Sequence, residues 1–515
     1  MTSELCLSID LGTGGPKVGL VTLGGEILAS EVHPVTTHFG DDGAATQDAE
    51  EWWTLILAAS KRLLDEVPDA PTSVRAVAVT GQYASTVPVD ANAIPTGPCI
   101  TWLDVRGGHY TREAVGGWFL GYNPRKVLPF VRKTGGAPST AGADPIGQIH
   151  FITREMPEVA RATRWYMEPI DYLTMRFTGV ASATHASRLA MWMTDNRRLD
   201  EYRYDPHLLS LVGLDEKYFP PLQPFGSVVA TLSDVVAQEL GLSRDVVVVS
   251  AMPDLHAAAI GSAATSLYQT HLALSTTSWI SCPVPSKKTD ITHNIAAVPG
   301  LSNDSYVLID NQETGAKALE WLRSVMIGSG PTPTYDELNS LAGSSPSGSN
   351  GVLFTPWLAG ERSPIDNKHI RAGFSNLSLT TTSADLVRAV MEGVAANSAW
   401  LFAYVEKLAG HTLSPVRLVG GGAQSALWCQ IFADTLDREV QQIDQPLVAQ
   451  LRGAALLAGC ALGHYSLSDV PVPKSTTYHP STVDGSRTGN RVDELKALYE
   501  RDKKWSRRRA SRHSR

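Results

Sequence analysis

Cysteine is scarce: five residues in 515, at positions 6, 99, 282, 429 and 460. Their number is odd, they lie far apart, and no C-x-x-C pair occurs, which excludes a disulfide framework and a paired-cysteine zinc site. They read as small buried apolar residues of a reducing compartment, so a cytoplasmic location is expected. Long apolar runs are missing too. The longest candidate, AALLAGCALG, is far too short to cross a bilayer, and no membrane partner is expected. The start, MTSELC, has neither the basic nor the apolar region of a signal peptide. Positive charge is in deficit, with 44 Lys and Arg against 52 Asp and Glu; a net charge of −8 argues against a nucleic-acid binder. The local exception, KKWSRRRASRHSR, reads as a solvated, disordered tail. The histidines show no HExxH or HxH spacing, which argues against a bound transition metal.

What is present is enough apolar residue, 43 %, to build two cores in a chain long enough for two large domains. The opening pattern is strand, turn, strand, turn, strand: LCLSID, then the turn in DLGTGGPK, then KVGLVTL, Gly24 and Gly25, and EILASEVHPV. A helical pattern, AEEWWTLILAASKRLLDEV, and an apolar strand, RAVAVTGQ, follow, so the sheet is mixed. Trp52 and Trp53 read as core or interface residues of that helix. The glycines after the first strand do not make a dinucleotide-binding fingerprint, because Lys17 stands where the third glycine belongs and no helix follows. A GK[ST] loop is absent as well. The turn is therefore a hairpin, whose backbone N–H groups can form an anion nest.

The second half repeats the plan. THLALSTTSWISCPV is again strand, small-residue turn and strand; PVRLVGGGAQSALWCQIFADTL reads as strand, glycine loop and helix; PLVAQLRGAALLAGCALG is a further helix. The domain boundary falls near 262–270. Residues 328–334 and 343–350 read as surface loops.

DLGTGGPK, GQYASTVPVD with TWLDVR, DYLTMRFTG, MPDLHAAAIG, LALSTTSWI, and FTPWLAGERSPIDN with RLVGGGAQS occur in order along the chain. Together they resemble the FGGY family of carbohydrate kinases, and within it the xylulose-kinase-like branch. The resemblance implies an α/β fold of two ribonuclease-H-like domains, as in actin and the heat-shock chaperone ATPases, with an interdomain ATP cleft. It divides the chain into an N-terminal domain (1–265), a C-terminal domain (266–470), an extension with a helix (471–502) and the basic tail (503–515). ATP and Mg²⁺ are the implied cofactors, a small sugar or polyol the substrate, and a homodimer the common assembly.

Phosphoryl transfer requires charge neutralisation and positioning more than covalent chemistry. By resemblance, Asp254 is the catalytic base and also binds the substrate; as a residue pattern alone it could be a helix N-cap. Asp10 would hold Mg²⁺, through water. Gly12, Thr13, Gly14 and Lys17 would bind phosphate, against the plain reading of a tight turn and an exposed lysine. Thr276 and Thr277 match the second phosphate loop, or form an ordinary Ser/Thr-rich hairpin. Gly315, Gly421, Gly422, Gln424 and Ser425 would flank the nucleotide, bare glycine backbone letting adenosine lie close. Gln82, Tyr83, Trp102, Asp104 and Arg106 would line the sugar pocket, unless Asp104 and Arg106 only pair on the surface. The chain departs from the family at Gly14, Ala84, Pro253, Leu255 and Ser275. Ala84 replaces a sugar-binding His and Leu255 an Asn, so the expected substrate differs from D-xylulose. A nucleotide-binding sensor of weak activity and an actin-like clamp are the competing readings.

Overall fold

The computed structural model describes residues 4–119, 121–325, 332–481 and 485–513. The first sheet begins with β1 (Leu5–Gly12), β2 (Gly15–Thr22) and β3 (Ile27–Val32). β1 is buried along its length, as a central strand flanked on both faces must be, whereas β3 alternates between partly buried and exposed positions. α1 (Ala49–Glu66) starts at Asp48, whose carboxylate accepts from Glu50 N. It buries Trp52, Trp53, Ile56 and Leu63 in the core shared with β1, so both tryptophans are core residues. β4 (Val74–Gly81) then pairs parallel with β1. β5 (Val228–Thr231), β6 (Val247–Val249) and the short β7 (Met252–Pro253) complete a mixed sheet in the order β5-β6-β4-β1-β2-β3, with β7 also on β4.

α2 (Pro169–Thr178) lies in the chain between β4 and β5, and α3 (Asp254–Gly261) follows β7 directly. The second sheet repeats the topology: β8 (Thr270–Leu274) and β9 (Ser278–Val284) form the hairpin, β10 (Thr289–Asp290), β11 (Ile295–Pro299) and β12 (Tyr306–Ile309) extend one side. On the other side β13 (Val416–Val419) runs parallel to β8, followed by β14 (Val440–Ile443) and β15 (Ser475–Tyr478). α4 (Ser383–Ala409) packs across this sheet behind a capping box at Thr382, and α5 (Ala426–Leu436) lies beside it.

The sheets change between Pro253 and Thr270, yet the two halves are not separate beads. α6 (Ala449–Ala461), from the second half, lies on β1 and β4 of the first sheet and crosses α3. The crossing needs small residues: a Cβ on Gly261 would stand 1.9 Å from Ala449 O, and one on Gly453 1.9 Å from Ala257 O. Arg452 pins the crossing, donating to the carbonyls of Gly25, Gly261 and Asp444.

Two loop and tail expectations change. Residues 328–331 lie outside the described residues, but 343–350 is not a plain surface loop: Ser345 donates to Asp385 and Ser349 to Glu392, both buried carboxylates of α4. The tail from 503 was expected to be disordered; the backbone instead continues the last helix, α7 (Gly485–His513). α7 is docked on α4 through Arg491, buried, paired with Glu392 at 3.2 Å and donating to Val352 O at 2.7 Å. The extension is thus part of the second lobe, β15 being the edge strand of its sheet.

Candidate active site

Asp10 and Thr80 are partners across β1 and β4, and Thr80 faces Met252 on β7. The register therefore brings Asp10, and Asp254 two residues beyond Met252, to the same end of the sheet on either side of β4. Asp10 is 2 % exposed and takes Lys17 Nζ on Oδ2 at 2.8 Å. Burial acts to lower the Lys17 ammonium, but Asp10 and then Asp254 outweigh it and hold its pKa above the usual lysine value. Asp254 is the first residue of α3, and Pro253 fills the N-cap position before it, so Asp254 is not the N-cap. Part of the residue stays accessible, but protein surrounds the carboxyl: burial first, then the Asp10 charge, push it up to about 7. Gly14, at the tip of the hairpin, is exposed.

The segments carrying Gln82 and Trp102 are wired to this hairpin. Trp102 Nε1 donates to Thr13 Oγ1 at 3.0 Å, and Thr13 Oγ1 donates to Gln82 Oε1 at 3.2 Å. Tyr83 follows; burial, with Asp254 next, raises its phenol well above the usual value, so it remains a neutral donor. Ala84 has φ 61°, and the turn it makes is held by Glu168, which accepts from Ser85 N at 3.1 Å. Glu168 is buried, which pushes its carboxyl up to about 8 against the pull of Arg188. Asp104 and Arg106 do form an ion pair, at 2.7 Å, but it is not a surface one: Asp104 is 1 % exposed and also accepts from Ala45 N. The Arg106 guanidinium lies over the Phe151 ring at 4.2 Å. These two residues brace the TWLDVR loop through each other, which leaves less of their capacity for a sugar than the pattern suggested.

In the second hairpin, Thr276 is exposed and Thr277 half-buried in the turn between β8 and β9. Gly315 N donates to Thr276 O at 2.9 Å, and a Cβ on Gly315 would meet Thr277 O at 2.5 Å. Gly315 is therefore the floor of this turn. Behind it, Glu361 accepts from Glu313 N, Arg362 N and Asn397 Nδ2. Burial pushes Glu361 up to about 7 and nearby Asp310 up to about 8. Of the triple glycine, Gly422 abuts the Leu274 side chain, while Gly421 has only Leu447 at 3.8 Å from a would-be Cβ and is the open one. Gln424 is exposed beside it. Ser425 caps α5: it accepts from Trp428 N and donates to Asn339 Oδ1 at 2.7 Å, so its hydroxyl serves the helix. Gln47, Glu168 and Glu361 escaped the sequence reading. Glu361 stands in a quoted family motif, but nothing around Gln47 or Glu168 marks them before the loops are folded together.

Duplicated mixed sheets, each presenting a hairpin turn at one end, with carboxylates and a lysine at one of them, define a two-lobed α/β protein with a charged site at one turn. Models of the FGGY family of carbohydrate kinases match the chain, the N-terminal domain over residues 5–261 and the C-terminal domain over 249–462. The chain belongs to that family: it is an ATP-dependent sugar kinase, a phosphotransferase with an alcohol acceptor. It is 27 % identical over 467 residues to a xylulose kinase of Staphylococcus epidermidis, covering 90 % of this chain and 89 % of that one. A gluconokinase of Bacillus subtilis is 25 % identical over 481 residues, covering 91 % and 89 %. Among solved structures, the xylulose kinase from Rhodospirillum rubrum superposes with a TM-score of 0.83 at 23 % identity, covering 98 % of this chain and 100 % of the other. A gluconate kinase from Lactobacillus acidophilus gives 0.83 at 20 %, covering 97 % and 98 %. These similarities define the actin- and hexokinase-like two-domain fold. No helix among the described residues is long and apolar enough to cross a membrane.

Proposed function

We propose that the protein transfers the γ-phosphoryl group of ATP to a primary hydroxyl of a small ketose or polyol, with Asp254 as general base. The observation that carries this reading is the pair of carboxylates flanking β4: Asp10 neutralised by Lys17, and Asp254 with no ion pair among the described residues and a carboxyl pushed up to about 7. A base tuned near neutral pH accepts a hydroxyl proton more readily than an ordinary aspartate. The acceptor O–H gives its proton to Asp254 as its oxygen bonds phosphorus; the bond from phosphorus to the β-bridging oxygen breaks, and ADP leaves with that electron pair. Lys17 and the turn of Gly12, Thr13 and Gly14 face the phosphates from the first lobe. Thr276 and Thr277 face them from the second, and Gly421 with Gln424 borders the adenosine. Closure of the lobes keeps water from taking the phosphoryl group.

Mg²⁺ fits this site as a substrate-borne ion. Among the described residues no group of three or more His, Cys, Asp or Glu could cage a metal, and Asp10 engages Lys17 through Oδ2 alone. One carboxylate plus phosphates and water is the usual arrangement for Mg²⁺. Asp10 would hold it; when bound, it supplies charge neutralisation at the phosphates.

The substrate reading rests on two apolar replacements. Ala84 and Leu255, the latter 4 % exposed, supply no side-chain hydrogen bond where the xylulose-kinase pattern has His and Asn. A site lacking those groups has no means to favour the hydroxyls they bind. The test is ADP release from Mg-ATP with a panel of ketoses, polyols, aldonates and deoxy sugars, run in parallel with Asp254→Ala. Acceptor-dependent turnover that collapses in the variant is expected. D-xylulose outperforming every other compound would overturn the substrate reading, and undiminished turnover by the variant would overturn the base.

A further inference from the structure

Four side chains from four segments close one hydrogen-bonded network between the phosphate hairpin and the acceptor loop. Trp102 Nε1 donates to Thr13 Oγ1 at 3.0 Å, Thr13 Oγ1 donates to Gln82 Oε1 at 3.2 Å, and Gln82 Nε2 donates to Gln47 Oε1 at 3.2 Å. Gln47 Nε2 closes the ring on the Thr13 carbonyl at 2.8 Å and also donates to Thr37 Oγ1 at 2.8 Å. Gln47 is 1 % exposed and Gln82 5 %. Both Gln47 Nε2 hydrogens and one Oε1 lone pair are used, and the donors and acceptors around the ring alternate consistently.

The proton count has a consequence. Thr13 owns one hydroxyl proton, and Gln82 has it. Phosphate oxygens offer only lone pairs, so the Thr13 hydroxyl cannot donate to a nucleotide while that bond stands. Gln82 Oε1 has two lone pairs, so a sugar hydroxyl frees the Thr13 proton only by taking the lone pair that Thr13 occupies. Gln47 keeps the Gln82 carbonyl aimed and the Thr13 main chain fixed during the exchange.

We infer that Gln47 is a positioning residue through which acceptor binding at Gln82 releases the Thr13 hydroxyl to the nucleotide phosphates. This rests on the proposed roles of Thr13 and Gln82. It makes acceptor and nucleotide tighten each other's binding by the same factor, as linkage requires.

The experiment is calorimetric titration of the full chain with the magnesium complex of the β,γ-imido analogue of ATP. It is run with and without the panel compound of highest kcat/KM. The parent protein is expected to bind the analogue about 5–20-fold more tightly when the acceptor is present, within the usual range of coupling between sites. In Gln47→Leu the factor falls below about twofold, while the analogue's Kd without acceptor moves less than about threefold. Thr13→Val, which keeps the shape and removes the hydroxyl, abolishes the factor too, and it decides the matter if Gln47→Leu does not fold. A parent factor below twofold, or a variant that keeps the parent's factor, overturns the inference. Turnover without coupling sinks this inference alone; no turnover with any acceptor sinks the proposed function as well.

Discussion

The two hairpins are built alike and equipped differently. β1–β2 and β8–β9 each place a central strand between an antiparallel partner and a parallel one, β4 in the first lobe and β13 in the second. A glycine of positive φ, the last residue of β4 and the residue after β13, is tucked under each hairpin. Gly81, at φ 153°, would set a Cβ 2.4 Å from Leu11 O; Gly420, at φ 94°, would set one 2.7 Å from Leu274 O. The duplicated architecture thus fixes the backbone approach at both turns. The charges are not duplicated. The first hairpin carries Asp10 and Lys17 and faces Asp254, whereas Ser275, Thr276 and Thr277 make a neutral turn in the second. Its carboxylates, Glu361 and Asp310, are set behind it as internal struts. The lesson is that the cradle belongs to the fold, and the charges on which the proposed chemistry rests belong to three side chains in one lobe.

The largest expected effect breaks the chemical half of that comparison. Asp254→Asn should lower kcat by about 10²–10⁴-fold, the range for loss of a general base. Its stability should not fall with it. The parent carboxyl titrates at about 7, above its ordinary 3.8, so folding disfavours the ionised form. The parent's stability contribution from this group is full below the unfolded pKa and lost as pH rises through about 7. At pH 8 the variant should melt no lower than the parent. A melting temperature that drops in step with kcat would assign Asp254 a structural role.

The architectural half is broken at the glycines. Gly420→Ala forces a Cβ against Leu274 O and Ser275 Oγ, the latter at 2.6 Å, in a left-handed conformation. Destabilisation of about 1–3 kcal/mol is expected from denaturant unfolding. Gly421→Ala meets only Leu447 and should leave stability within about 0.5 kcal/mol, raising KM for ATP because the adenosine loses bare backbone. Equal destabilisation by both variants would dissolve the distinction between the packed glycine and the open one.

Proton titration sharpens the contrast between chemistry in front of one turn and support behind the other. In the first lobe, the base works only when ionised, so kcat/KM should rise with pH, about tenfold per unit below 7, and level off above it. In the second lobe the readout is stability. Burial pushes Asp310 up to about 8; its Oδ1 accepts from Ile280 N at 2.9 Å, and Oδ2 has no partner. Its favourable contribution is complete below the unfolded pKa and lost as pH rises through about 8. Asp310→Asn keeps the Oδ1 bond and cannot ionise. Its melting temperature should gain on the parent's as pH rises from about 4 to about 8, by roughly 2–4 °C for each ~1 kcal/mol in a lobe of this size. Parallel melting curves across that range would contradict the buried charge.

Much of this was legible in the sequence, for local reasons. Alternation and turn residues mark β1–β3, α1 and the second hairpin, and the glycine loop sits between β13 and α5 as read. The residues that neighbour each other along the chain, Asp10 with Lys17 and Thr276 with Thr277, come with the hairpin itself. What stayed hidden depends on contacts between distant segments. Gln47 lies beside the cap of α1 and reaches Thr13 only because β1 and α1 are brought together. Glu168 supports Ser85 across 83 positions. Ser425 looked like part of a nucleotide loop because a helix cap and a phosphate contact favour the same residue type. The C-terminal segment looked detached because its composition is polar; buried Arg491 and Leu495, with Tyr499 against Trp357 and Trp400, tie it down, and so few anchors spread along a charged helix leave little pattern to read.

The smallest expected effect tests whether the cradle itself is complete. The resemblance placed a Ser or Thr at the tip of the first hairpin, where this chain has Gly14. The glycine there is not required by the backbone, since its φ lies outside the left-handed region and a Cβ would meet nothing within 4 Å. Gly14→Ser should therefore fold with stability within about 0.5 kcal/mol of the parent. The new hydroxyl is a donor beside Lys17 and Thr13, where the phosphates are proposed to lie. One neutral-to-charged hydrogen bond contributes about 1.5–3 kcal/mol when fully formed, and an exposed turn would realise only part of that, so KM for ATP should fall a fewfold with kcat unchanged. If the variant binds ATP no better, the phosphates do not reach the tip of this hairpin, and the two turns differ in reach as well as in charge.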